Sequence, residues 1–231
     1  MTATTIITGG TGGLGKAVVT RLLDDGWRVV VTWVVEAELD GLERRDGLEL
    51  IEADLFDEQA VAKLVGLGAA DAQAPLRGVV NLVGGFAAGG RVHETPIDEF
   101  DKQFNLNLRG TYLVTAEAVR SMLWSRSSGS VVCVGTRAAL HPFRGAAGYI
   151  ASKAAVIAFA QAVAVEYRDD GIRCNSILPS VIDTPGNRAA SPNADFEKWV
   201  KPQAIAGVIA HLLSDDSSPT SGAAIPVYGR A

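Results

Sequence analysis

The chain is poor in the two residues that most often build metal sites and crosslinks: 2 cysteines and 3 histidines in 231 residues. Cys133 and Cys174 stand inside apolar, strand-like runs, which reads as buried free thiols rather than a disulfide. His93, His141 and His211 are scattered without ligand spacing, so no metal is expected. Cations are also in deficit. The 21 Lys and Arg against 26 Asp and Glu leave a formal charge of −5 and no basic stripe, which argues against nucleic acid as a partner. No apolar run approaches the ~20 residues of a spanning helix, so no membrane partner is expected. The N-terminus passes straight into the strand-like "TTIIT", which leaves no room for a signal peptide and points to the cytoplasm.

What the chain does have is alternation. Short β-branched runs ("TTII", "RVVVTW", "LELIEA", "GVVNLV", "SVVCVG", "RCNSIL", "AAIPVY") are separated by longer Ala-rich helical stretches. Several runs are apolar on both faces, as expected of parallel strands covered by helices on each side. The prediction is one α/β domain over residues 1–231: a doubly wound, Rossmann-type sheet of seven parallel strands, ligand beyond the strands' carboxyl ends. One long polar interruption, residues 185–202 ("PGNRAASPNADFEKWVKP"), is a candidate lid.

"IITGGTGGLGKAVV" carries five glycines in seven positions, between a strand and a helix. That context aims backbone N–H groups and a helix dipole at a pyrophosphate. Two registers fit: Gly10, Gly12 and Gly15 spell G-x-G-x-x-G, while Thr8, Gly9, Gly13 and Gly15 spell T-G-x-x-x-G-x-G. Further along, Tyr149 and Lys153 in "YIASK" lie one helical turn apart on one face. A tyrosine is a poor base at its ordinary pKa of about 10, and a neighbouring ammonium favours the phenolate. The pair suits moving a proton while a hydride moves elsewhere. Thr136 follows a buried run thirteen residues upstream, and Asn107 lies in "NLNLRGTYL".

In the order and spacing of these motifs the chain resembles the short-chain dehydrogenase/reductase superfamily over nearly its whole length. The resemblance selects the register of Gly9, Gly13 and Gly15 and leaves Gly10 and Gly12 as turn residues. It implies an NAD(P)-dependent oxidoreductase acting on a small-molecule carbonyl or alcohol. Tyr149 is then the acid/base, and Lys153 holds the nicotinamide ribose and lowers the tyrosine's pKa. Thr136 stands for the substrate-orienting serine, and Asn107 for the asparagine that helps hold a proton-relay water. The implied coenzyme contacts are Thr8, Gly9, Thr11, Gly13, Leu14 and Gly15 in the glycine loop, Asp54 at the adenine with Leu55 beside it, and Asn81 and Gly84 in "NLVG". In "LPSVIDTP" they are Pro179, Val181, Ile182 and Thr184, with Ser180 in place of the usual glycine and Thr184 at the carboxamide.

The stretch "LPSVIDTPGNRAASPNADFEKW" resembles more narrowly the dihydropteridine reductase branch, which makes a quinonoid pterin the alternative substrate. Phe196 and Trp199 are candidate pocket or lid-packing residues. The end of the second strand run falls on Trp33, a candidate to stack on adenine, with no carboxylate to repel a 2′-phosphate and no arginine to bind one. Either NAD or NADP is expected, with a lean to NADP. Glu36 is the carboxylate that could reach round. The two long helical runs are apolar on more than one face, and in the family such helices form the subunit interface, so a homodimer or homotetramer is expected. A non-catalytic NAD(P)-binding regulator is the reading from another class; the full set of Tyr149, Lys153, Thr136 and Asn107 weighs against it.

Overall fold

The computed structural model describes residues 3–230. Seven strands form one sheet: β1 (Thr4–Thr8), β2 (Arg28–Trp33), β3 (Leu48–Glu52), β4 (Leu76–Asn81), β5 (Gly129–Val134), β6 (Ile172–Pro179) and β7 (Ala224–Val227). Their order is β3-β2-β1-β4-β5-β6-β7, and every pairing is parallel. The expected doubly wound architecture is therefore present.

The sheet has a core on each face, and neighbouring residues of one strand show it. Ile6 and Val30 join one core with Leu64, Val114, Met122 and Val156; Ile7, Val29 and Val31 join the other with Val18, Leu22, Ile205 and Ile209. Strands buried on both sides must be apolar at successive positions, which is why β1 and β2 read as continuous runs. The first core is roofed by α2 (Glu58–Gly68), α4 (Gly110–Ser125) and α5 (Ala147–Glu166). The second is roofed by α1 (Gly13–Asp24) and α7 (Pro202–Leu213). Cys133 and Cys174 are free thiols, both 0% exposed on adjacent strands. Among the described residues α5 is the one helix long and apolar enough to cross a membrane, at mean hydropathy 1.5. It packs against β5 and β6 as a core helix.

Two segments depart from the simplest reading. The helical run after residue 97 is not one α-helix. It is α3 (Ile97–Phe104), a π-helical turn over Asn105–Arg109, and then α4. The 185–202 segment holds a short helix, α6 (Pro185–Ala190), and a 3-10 turn over Phe196–Lys198. Its base is tied shut, because Ile182 and Val200 form a parallel bridge. Asp183 N–H donates to Val200 O at 2.8 Å, and Val200 N–H donates to Val181 O at 3.0 Å.

Candidate active site

The carboxyl ends of β1, β4, β5 and β6 meet the start of α1 and the lid segment, and the candidate residues collect there. Gly9 has φ +68, a left-handed conformation that glycine adopts without penalty. It lets Gly12 N–H turn back onto Gly9 O at 3.2 Å. Gly12 caps α1 with no side-chain hydrogen bond, and no acid stands in the first turn, so the leading N–H groups are open to an anion. A Cβ on Gly15 would lie against the Gly9 carbonyl and 2.5 Å from Gly10 Cα, and one on Gly13 would lie 2.9 Å from Thr184 Cβ. Gly10 differs from the expectation. Its φ is not positive, and what excludes a side chain is packing, with Val31 Cγ1 at 2.6 Å from its Cβ position. Thr8 faces inward, its hydroxyl accepting from Leu82 N–H at 3.2 Å and joining β1 to the end of β4. Leu14 packs against the second core.

On the adenine side, Trp33 is half-buried at the end of β2, followed by exposed Val34 and Val35. The carboxylate that reaches the glycine loop is Glu38 rather than Glu36: its Oε2 accepts from Thr11 Oγ1 at 2.6 Å. A 3-10 turn over Glu36–Gly41 carries it there, five residues beyond Trp33. Asp54 is exposed and accepts from Phe56 N–H at 2.9 Å, and Leu55 beside it is buried.

The side chains of Asn81 and Asn107 are both engaged within the fold. Asn81 is 3% exposed, and its amide donates to Thr115 Oγ1 at 3.0 Å inside the fold. Its side chain binds β4 to α4 rather than facing the cleft. Asn107 lies in the π turn and donates to Ser152 Oγ at 3.0 Å and Gly85 O at 3.2 Å, while its Oδ1 accepts from Gly85 N–H at 2.9 Å. The amide thus fixes the loop after β4 to α5. At Gly84 a Cβ would sit 2.6 Å from Asn107 Oδ1 and 2.9 Å from Lys153 Nζ, so a side chain there would displace one of these two groups.

The reacting corner is made by β5 and α5. Lys153 is 6% exposed, and its ammonium donates to Val134 O at 2.9 Å. Burial brings its pKa from 10.5 down to about 8. Tyr149, one turn earlier, has its phenol raised above the usual value by burial, opposed by the nearby Thr136 hydroxyl. Burial is the larger of the two effects, so the phenol is neutral near pH 7. Thr136 also caps the 3-10 turn Arg137–Ala139, its Oγ1 accepting from Ala138 N–H at 3.3 Å. Tyr149 and Thr136 open onto a cavity of about 570 Å³ walled also by Phe86, Phe143, Val181 and Ile182.

Pro179 ends β6, and Ser180 after it donates to Tyr228 O at 2.6 Å, tying that strand end to the C-terminal segment. Thr184 Oγ1 accepts from Asn187 N–H at 3.3 Å and starts α6. Phe196 and Trp199 stand outside the cavity walls, ring centres 4.9 Å apart, with Arg188 4.6 Å over Phe196. An open helix N-terminus, glycines at the closest approaches of the loops, and a buried lysine beside Gly84 fit a dinucleotide.

Comparison with known proteins agrees. The family model for short chain dehydrogenases matches residues 3–195. The 2-(R)-hydroxypropyl-CoM dehydrogenase of Xanthobacter autotrophicus is 30% identical over 99% of this chain and 98% of its own. The 3-oxoacyl-[acyl-carrier-protein] reductase MabA of Mycobacterium tuberculosis is 31% identical over 97% of this chain and 90% of its own. A short-chain type dehydrogenase/reductase from Mycobacterium ulcerans superposes with a TM-score of 0.90 at 27% identity, covering 99% of this chain and 89% of that one. The chain belongs to the short-chain dehydrogenase/reductase family of NAD(P)-dependent oxidoreductases.

Proposed function

We propose that the protein reduces a carbonyl compound in the cavity bounded by Tyr149 and Thr136. The observation that carries this is the buried phenol of Tyr149 sharing the wall of one cavity with the Thr136 hydroxyl. A protonated phenol suits the acid role: it donates its proton to a substrate oxygen that Thr136 orients. When bound, the nicotinamide supplies the hydride. Lys153 holds the ribose and lends its positive charge to the phenolate left behind. Thr8, Asn81 and Asn107 position the loop that borders the coenzyme. The Thr136 hydroxyl on the same cavity wall as Tyr149 favours a ketone over the quinonoid pterin, and the edge-on contact of Phe196 with Trp199 spends those rings on the lid itself.

Either coenzyme is accepted in this reading. The end of β2 has no arginine for a 2′-phosphate, and Glu38 beside Thr11 supplies a negative charge near the ribose that disfavours NADP. Subunits associate through α4 and α5, a proposal supported by Tyr112 at 53%, Trp124 at 92% and Val165 at 66% exposure on those helices. The protein then acts in the cytoplasm as a dimer or tetramer. The deciding experiment is turnover of a panel of ketones, quinones and quinonoid dihydropterin with NADH and NADPH separately. Reduction of ketones supports the reading. Reduction of the pterin alone moves it to the alternative branch, and coenzyme binding without any turnover replaces it with a regulator.

A further inference from the structure

Arg137 follows Thr136 directly and lines the same cavity as Tyr149. It is half-buried, and its Nε is fully buried with no acceptor. Among the described residues none of the ion pairs includes it. Arg188 on the lid is its contrast, because Asp183 takes that guanidinium at both nitrogens. The Arg137 guanidinium is held instead over the Tyr228 ring, 5.2 Å from its centre, and His141 packs edge-on to the same ring at 6.5 Å. No aspartate or glutamate stands among the cavity's lining residues. A partly desolvated guanidinium without a counter-ion, in a chain of net charge −5, is an unmet demand for an anion. The wall facing it is aromatic: Phe86 meets Tyr149 edge-on at 5.0 Å and Phe143 at 6.4 Å.

We propose that the substrate is a flat, apolar carbonyl compound bearing a carboxylate. The Arg137 fork takes the carboxylate, Phe86 and Phe143 take the ring, and the carbonyl oxygen faces Tyr149 and Thr136. This rests on the reading of the cavity as a site of carbonyl reduction. The planar guanidinium suits bidentate capture of a carboxylate, and its stacking on Tyr228 orders the fork in advance.

The test compares 4-acetylbenzoate with 4-acetylbenzamide, which share a shape and differ in charge, as substrates of the coenzyme-loaded enzyme. A charge-assisted contact should favour the carboxylate by about ten- to a hundredfold in kcat/KM, carried mainly by KM. In Arg137→Met that ratio should collapse toward unity, and Arg137→Lys should keep only a small part of it, because an ammonium cannot reproduce the planar fork. No preference in the wild type, a preference that survives Arg137→Met, or a lysine variant that keeps all of it would overturn the assignment. The wild-type ratio decides even if Arg137→Met does not fold. If neither ketone is reduced, calorimetric binding of both to the coenzyme complex separates the two claims. Carboxylate-selective binding that depends on Arg137 keeps the anion site and removes ketone reduction, whereas equal binding removes the anion site.

Discussion

Lys153→Met should make the protein more stable at neutral pH while destroying its activity. The lysine is 6% exposed, and burial moves its pKa from 10.5 to about 8. At 1.36 kcal/mol per pH unit, that fall is a folding cost of ~3 kcal/mol. Below pH 8 the group is charged in folded and unfolded chains alike, so the whole cost opposes folding. Between pH 8 and 10.5 the unfolded chain keeps a proton that the folded one has released, and stability rises with pH. Above 10.5 the cost is gone. Methionine keeps a similar stem and removes the charge, but leaves Val134 O without its donor, a loss of about 1 kcal/mol. The variant should therefore gain about 2 kcal/mol at pH 7 and lose about 1 kcal/mol near pH 10.5. Urea unfolding of both proteins without coenzyme, at pH 7, 8.5 and 10, measures the crossing. A variant less stable at pH 7, or a difference that does not change with pH, would refute the buried-charge account. Coenzyme KM and kcat should both deteriorate, since the ribose and the phenol lose the same ammonium.

Thr136→Ala should lower kcat/KM for the best ketone by about 2–4 kcal/mol of transition-state stabilisation and lift the Tyr149 pKa further. A near-normal kcat/KM would favour the pterin reading. Tyr149→Phe should cut turnover by about 10²–10⁴ with coenzyme affinity nearly intact, and a variant retaining half the rate would show that the proton comes from elsewhere. Gly15→Ala should weaken coenzyme binding far more than Gly12→Ala, because the Gly12 Cβ position meets its nearest atom at 3.5 Å while that of Gly15 falls within the loop backbone. Equal dissociation constants by fluorescence titration would undo that ranking. Glu38→Gln should raise the ratio of NADPH to NADH in kcat/KM by about three- to tenfold, as expected for one partly screened charge near a phosphate. An unchanged ratio would remove Glu38 from coenzyme choice.

The strands were legible because burial on two faces forces runs such as "RVVVTW", and the Tyr149–Lys153 pair because helical spacing alone sets it. What escaped depends on contacts between distant elements. The π turn at Asn105–Arg109 inserts one residue into a ladder without altering its composition. The partners of Asn81 and Asn107, Thr115 and Ser152, come from α4 and α5. Helical spacing shows that Tyr149 and Lys153 are neighbours but not the depth at which they lie, and burial is what raises the phenol and lowers the ammonium. Glu38 escaped because a 3-10 turn folds the chain back on itself beyond Trp33. Gly10 looked like a turn residue, yet Val31 on the next strand is what requires it.

The strand order also sets a schedule for the growing chain. β1 emerges first but takes an interior place, so one of its edges stays bare until β4 arrives some seventy residues later. That single leap closes a long loop before any contact rewards it. From there each strand joins beside its predecessor, and the sheet can extend outward in the order of synthesis. The glycine loop and the β1–β4 seam precede Tyr149 and Lys153 on α5, which follow five of the seven strands, and the stretch from Pro179 to Thr184 comes later still. On the proposed contacts, the phosphate end of the dinucleotide is provided for first along the chain and the nicotinamide end last.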